Sequence, residues 1–187
     1  MSIKDLIAAA KAKPGALTFA TAGIAGSSHI QGTFFNLAAG IDTIHVPYKG
    51  GGPGMLDLRA GRVSYMVTSM VSSLNFARDG RARLLAVTGT KRSHLFPDVP
   101  TLGEAGFPGF ESILWHGLLA PAKVPREVVV RLNREIVKVL AIPEVQKSLG
   151  FEGGVASPST PEEFSIFIRD DVAQWNKMIK QTAITLD

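Results

Sequence analysis

Residues 17–29 read Leu17-Thr18-Phe19-Ala20-Thr21-Ala22-Gly23-Ile24-Ala25-Gly26-Ser27-Ser28-His29. The first six are apolar, aromatic or β-branched and predict a short buried strand, Leu17 to Ala22. Gly23 and Gly26 break it. From about His29 to Ala39 the sequence predicts a helix, which Gly40 ends as a left-handed cap. A strand that runs through a glycine loop into a helix is the opening of a βαβ unit, and it predicts an α/β fold with a largely parallel sheet.

The same loop is the most informative place for chemistry. Between a strand and a helix, its last residues present unpaired backbone N–H groups at the positive end of the helix. Such a site suits a carboxylate or phosphate. Gly23 and Gly26 let an anion approach the backbone, and the Ser27 and Ser28 hydroxyls can donate to its oxygens. The competing reading is structural: Ser27 or Ser28 caps the helix, and the glycines only turn the chain.

Outward from this unit the alternation continues. Upstream, Leu6 to Ala12 reads as a helix end, stopped by Pro14-Gly15. Downstream, a strand from Ile41 to Tyr48 meets the turn Lys49-Gly50-Gly51-Gly52-Pro53, then a short helix from Gly54 to Ala60. Arg62 to Thr68 reads as a strand, Val71 to Arg78 as a helix and Leu84 to Thr88 as a buried strand. The Pro/Gly-rich stretch His94 to Phe110 holds one short helix, opened by Thr101 and Glu104 in capping-box spacing. A strand follows from about Ser112 to Leu119.

Two longer helices finish the chain. Arg126 to Ala141 carries Val129, Leu132, Ile136, Val139 and Leu140 on one face. Thr160-Pro161-Glu162-Glu163 is a capping box with proline at the first helical position, opening a helix to about Lys180. Its expected inner face is Phe164, Phe167, Ile168, Val172, Trp175 and Ile179, with Asp170-Asp171 on the solvated side.

Of the 187 residues 45% are hydrophobic and 19% charged, enough apolar material for a core and too little charge for disorder. The absence of cysteine excludes a disulfide scaffold, a catalytic thiol and Cys-based zinc sites. A net charge of +4, scattered along the chain, fits anionic small molecules better than a nucleic-acid groove. No run approaches the roughly 18 apolar residues of a membrane span. The amino terminus does not read as a signal peptide, since the run Leu6 to Ala10 is short and lies between Asp5 and Lys11.

Catalytic motifs are wanting. Ser28-His29 is not a nucleophile elbow, because Ile30 stands where the second glycine belongs. A dinucleotide fingerprint would need glycine where Ala25 stands, and Lys49-Gly50-Gly51-Gly52 is not a Walker loop. His29, His45, His94 and His116 lack metal-ligand spacing, and no carboxylate pair suggests an acid and a base. No metal, cofactor or catalytic residue is expected; the residues argue for binding over turnover.

Gly23-x-x-Gly26-Ser27-Ser28-His29, His45-Val46-Pro47-Tyr48-Lys49-Gly50 with Pro53, Leu85-Ala86-Val87-Thr88, and Lys91-Arg92 follow in order. Pro97-Asp98-Val99-Pro100-Thr101 with Glu104-Ala105-Gly106, Trp115-x-Gly117-Leu118-Leu119-Ala120-Pro121, Pro143-Glu144-Val145 and Trp175 continue the series. In order and spacing these resemble the Bug (TctC-like) extracytoplasmic solute-binding receptors of tripartite tricarboxylate transporters. The resemblance implies a type II periplasmic-binding-protein fold whose two lobes close on a small organic carboxylate. It implies a periplasmic location and a cognate membrane transporter as partner.

Carried onto this chain, the resemblance makes Gly23, Gly26, Ser27, Ser28 and His29 the expected ligand loop, with Thr21 at the end of its strand. Thr68 and Ser69 are candidate cleft hydroxyls; otherwise they are strand-end residues. Two departures stand out. Nothing corresponds to the family's first-lobe Pro-Phe-x-x-Gly-Gly loop, so the chain resembles the second lobe plus the C-terminal return to the first. The family's acid after the Gly-x-Val turn is replaced in Val63-Ser64-Tyr65-Met66-Val67.

The expected organisation is a leading helix over 1–13, a lobe-two domain over 14–111, and a return strand with C-terminal helices over 112–187. Open strand edges and apolar helix faces in that last part predict a homo-oligomer or domain swap. The rival function is an interaction module that oligomerises through those surfaces without transport.

Overall fold

The computed structural model describes residues 2–151 and 153–182. In chain order the elements are α1 (Ile3–Ala12), β1 (Thr18–Thr21), α2 (Ser27–Ala39), β2 (Ile44–Pro47) and α3 (Gly51–Arg59). They are followed by β3 (Tyr65–Met66), α4 (Met70–Arg78), α5 (Arg126–Leu140), α6 (Pro143–Phe151) and α7 (Pro161–Thr182). The chain divides into two compact units: one runs to Leu114 and resumes at Met178, the other is Trp115–Lys177.

The first unit is built on a three-stranded parallel sheet in the order β2-β1-β3. Thr18 pairs with Ile44 and Thr21 with Pro47, while Ala20 pairs with Met66. Each strand is followed by a helix, so the α/β reading with a parallel sheet holds. β1 and α2 fall where the opening stretch places them, and Gly40 caps α2 with φ 60° and ψ 45°. The core joins Ile3, Leu6 and Ala10 of α1 to Phe19, Phe35, Ile41, Tyr65, Leu102 and Phe110. Each of the larger side chains contributes about 1.5–3 kcal/mol by leaving water.

Several expected elements differ. Leu84 to Thr88 is not a strand of this sheet; Val87 forms one isolated parallel bridge with Thr101. Its N–H donates to the Pro100 carbonyl and its carbonyl accepts from Leu102. The pairing cannot lengthen because Pro100 has no N–H and the chain turns at once after Thr101. The Thr101–Glu104 capping box forms, with Thr101 N–H to Glu104 at 2.8 Å and Glu104 N–H to the Thr101 hydroxyl at 3.1 Å. It opens only a turn, which ends at Gly106 with φ 112°.

Ser112 to Leu119 forms no strand; only its first residue is tied back, Ser112 N–H donating to the Thr88 carbonyl at 3.0 Å and its carbonyl accepting from the Thr88 hydroxyl at 2.7 Å. α3 begins at Gly51 rather than Gly54; Pro53 sits in its first turn, where an N–H would have no helical partner. α6 was not anticipated, although Pro143 at its first position is a helix-start signal.

In the second unit the Thr160 capping box is in place, with Glu163 N–H to the Thr160 hydroxyl at 3.2 Å and Thr160 N–H to Glu163 at 2.8 Å. Its helix faces are less covered than their periodicity predicts. No residue of α5 is buried, Leu132 and Val139 are half exposed, and so are Phe167 and Val172 of α7. Asp171 is not simply solvated: it accepts a 2.9 Å bond from Trp115 Nε1. Trp115 also packs edge-on against Phe164 and Phe167. No helix among the described residues is long and apolar enough to cross a membrane.

Candidate anion-binding site

Parallel strands all end at the same edge of a sheet, so the three loops leaving β1, β2 and β3 gather there. The order β2-β1-β3 reverses direction between β1 and β3. In open α/β sheets the crevice outside the carboxyl ends at such a reversal is the usual ligand position. The loops are in direct contact. Tyr48 N–H donates to the Thr21 carbonyl and Gly50 N–H to the Ala22 carbonyl, both at 3.0 Å. At Gly51 an added Cβ would lie 3.5 Å from Thr68 Oγ1 and 3.4 Å from Ser72 Oγ.

Three helix N-termini therefore open on this edge. α2 starts from Gly26 and α3 from Gly50, and neither receives a side-chain cap or carries an acidic residue in its first turn. Elsewhere Ser2 and Thr160 satisfy the helix starts that follow them. The ends of α2 and α3 thus present backbone donors and positive dipole to one crevice without an internal anion. The capping reading of Ser27 and Ser28 is not what the chain adopts. Gly26 is the N-cap, Ser27 is exposed, and the buried Ser28 Oγ accepts from Ala22 N–H at 3.0 Å.

The other expected residues fall as follows. Thr21 is fully buried; its hydroxyl donates to the Gly23 carbonyl at 3.0 Å and bonds His45 Nε2 at 2.7 Å. Gly23 lies beside the Tyr48 carbonyl, its added Cβ 3.8 Å away. His29 is half-buried, and its Nδ1 accepts from Ala25 N–H at 3.1 Å. Thr68 Oγ1 lies beside the Gly51 start of α3, and Ser69 is engaged as the cap of α4, accepting from Ser72 N–H at 3.3 Å. Ser64, where the resemblance leads one to expect an acid, lies at the opposite end of β3 and its Oγ accepts from Thr18 N–H at 3.1 Å.

Sequence reasoning missed three participants. The α3 start at Gly50–Gly52 was read as a turn, although Pro53 in the first helical turn was a usable signal. Ala25, with φ 58°, is the one non-glycine residue of positive φ among those described. His45 stacks on His29 with ring centroids 3.8 Å apart and 7° between planes, and neither position signals this in sequence. Burial holds both imidazoles below the ordinary histidine range, His45 being lowered to about 4 by burial and by its His29 neighbour. Both are neutral at pH 7. Lys49 is exposed. No described group of three or more acidic, His or Cys side chains could hold a metal ion.

An edge built of backbone donors and hydroxyls can hold carboxylate oxygens. Residues 1–184 match the profile of the tripartite tricarboxylate transporter family receptor, TctC. The UPF0065 protein in the tcbD-tcbE intergenic region of Pseudomonas sp. (strain P51) is 39% identical over 178 residues, 95% of this chain and 53% of that protein. R. palustris Rpa4515 with adipate superposes with a TM-score of 0.90 at 29% identity, over 98% of this chain and 62% of that one. MatC (Rpa3494) from Rhodopseudomonas palustris with bound malate gives 0.81 at 26% identity, over 95% and 62%. The chain thus spans about half the length of the curated relative and under two thirds of the solved ones. It belongs to the tripartite tricarboxylate transporter receptor family (TctC), a family of solute-binding receptors and not of enzymes.

Proposed function

We propose that this chain binds a small organic carboxylate at the carboxyl edge of the β2-β1-β3 sheet, as part of a solute receptor serving a tripartite tricarboxylate-type transporter. The observation that carries this reading is the meeting of two uncapped, glycine-opened helix N-termini, α2 and α3, at the point where strand order reverses. Gly23, Gly26, Ser27 and Ser28 present the α2 side, with Thr21 and His29 holding the loop. Thr68 and Ser69 supply hydroxyls from the β3 side. Dicarboxylates occupy two solved relatives, adipate in one and malate in the other. In this reading 1–13 is a leading helix, 14–111 is lobe two and 112–187 belongs with lobe one. The location is periplasmic, as for the family's BugD.

A thermal-shift series against adipate, malate, a tricarboxylate and phosphate tests it. At ten times Kd a ligand adds about 1.4 kcal/mol of stability, enough for a rise of several degrees. A concentration-dependent rise with a carboxylate and none with phosphate is expected. No rise with any carboxylate at 10 mM concentrations (roughly the weakest binding such a screen reads) would overturn it.

A second reading, self-association through exposed apolar surfaces, draws on the exposure of Ile113, Leu114, Leu118 and Leu119 along a segment that forms no strand. Light scattering at micromolar concentration decides it: dimer or higher mass supports it, and a monomer with a protected C-terminal third excludes it.

A further inference from the structure

The β1–α2 loop contains a strained residue whose cause is not in the loop itself. Ala25 holds φ 58°, a region that L-residues with a Cβ avoid. Gly26 follows it with an ordinary φ of −74°, so the strain is not placed on a glycine. Something must hold Ala25 there, and the bonds identify it: Ala25 N–H donates to His29 Nδ1 at 3.1 Å, one helical turn later.

The other end of the loop is held from below. Thr21 has one hydroxyl proton, and it goes to the Gly23 carbonyl. The 2.7 Å contact of Thr21 Oγ1 with His45 Nε2 must then be a bond donated by His45, which assigns its Nε2–H tautomer. A chain of donors therefore runs from His45 through Thr21 to Gly23. The two imidazoles that terminate these chains lie face to face, 3.8 Å apart, and His45 rests in turn on Phe19 at 4.9 Å.

We propose that His29 and His45 act as one stacked positioning pair for the anion-facing loop, His45 holding the Gly23 carbonyl through Thr21 and His29 holding the Ala25 amide. Neither ring need touch the ligand through these atoms. The pair sets the backbone between residues 23 and 25, and with it the direction of the free N–H groups at the start of α2. The clamp requires a bare Nδ1 on His29. Protonation would replace that lone pair with a second N–H facing the Ala25 N–H, and would set a cation against the His45 ring. From β1 the pair faces the uncharged Phe19 and Thr21, and from β2 and α2 the two rings face each other. Asp42 lines the same groove as His45 and is the nearby carboxylate to consider. Burial and the neighbouring imidazole, rather than a carboxylate, account for the neutral state of the rings.

The idea rests on reading this loop as the anion site, so its test is chosen to need no ligand. Imidazole nitrogen shifts and the Ala25 amide protection factor are followed by NMR on the full chain from pH 8 to 4. Both histidines are expected as Nε2–H tautomers, and Ala25 protection should fall at least tenfold in step with His29 protonation. His29→Asn places an amide oxygen where Nδ1 stood, and should keep Ala25 protected with no such step. His45→Phe keeps a stacked ring but loses the donor to Thr21, and should lower Ala25 protection already at pH 8, where both rings are neutral, through the loosened Gly23 carbonyl. Ala25 protection that ignores His29 titration, or that shows the same step in His29→Asn, overturns the proposal. The carboxylate series then separates the two readings: coupling of Ala25 to His29 without a thermal shift from any of the carboxylates would uphold the pair and sink the carboxylate function. A carboxylate-induced shift with no such coupling would do the reverse.

Discussion

Thr21→Val is the most discriminating single change, because it removes one oxygen and keeps the shape. Thr21 is fully buried at the end of β1, donates to the Gly23 carbonyl at 3.0 Å and accepts from His45 at 2.7 Å. Valine fits the strand equally well and retains the methyl packing. Two bonds are lost at about 1 kcal/mol each, and the half-buried His45 N–H loses its acceptor, adding up to about 1 kcal/mol more. The expected destabilisation is therefore about 2–3 kcal/mol, or a fall in Tm of roughly 4–12 °C for a chain of this size. Thr21→Ser is the control: it keeps the hydroxyl and deletes a buried methyl, at about 1 kcal/mol. Urea denaturation followed by circular dichroism reads both. The reasoning fails if valine costs less than about 0.5 kcal/mol or if serine costs more than valine.

Other expectations follow from single contacts. Because burial lowers the pKa of His45 from 6.5 to about 4, the unfolded chain takes up the proton first. Its contribution is full above pH 6.5 and is lost as pH falls toward 4. The full displacement corresponds to about 3 kcal/mol, which solvent screening of this half-buried ring reduces to about 1–2 kcal/mol; denaturation at pH 7 and pH 4.5 in wild type and His45→Phe measures it. Gly32→Ala puts a Cβ 2.8 Å from Phe19 Cε2, a ring that is 3% exposed and cannot yield. Overpacking of about 1–3 kcal/mol outweighs the gain of up to about 1 kcal/mol in helix propensity, so chemical denaturation should show net loss. Gly117→Ala would overlap the Phe164 ring and should disturb the Trp115 environment, read as a shift in tryptophan fluorescence. Tyr65→Phe removes the hydroxyl that bonds Asn36 and Thr43 in the first unit, and should cost about 1–2 kcal/mol in the same urea assay.

The sequence by itself determined the local units. A β-rich run followed by glycines and an amphipathic stretch is a strand, a turn and a helix whatever surrounds it. β1, α2 with its Gly40 cap, α4, α5 and the capped start of α7 were therefore legible to within a few residues. The glycine loop between β1 and α2 was legible too, since a strand that breaks at glycine before a helix follows from chain order alone. What tertiary structure decided was everything that needs a distant partner. Leu84 to Thr88 and Ser112 to Leu119 have the composition of strands, yet a strand exists only where another backbone offers its bonds. The helical faces of α5 and α7 have the right period, yet burial depends on what lies opposite. The approach of Gly51 to Thr68, the choice of Gly26 over serine as cap, and the stacking of His29 on His45 join residues 16 or more positions apart or turn on competing local bonds. Neighbouring residue types cannot encode such contacts; they arise because a parallel sheet delivers three strand ends, and the loops that follow them, to one edge.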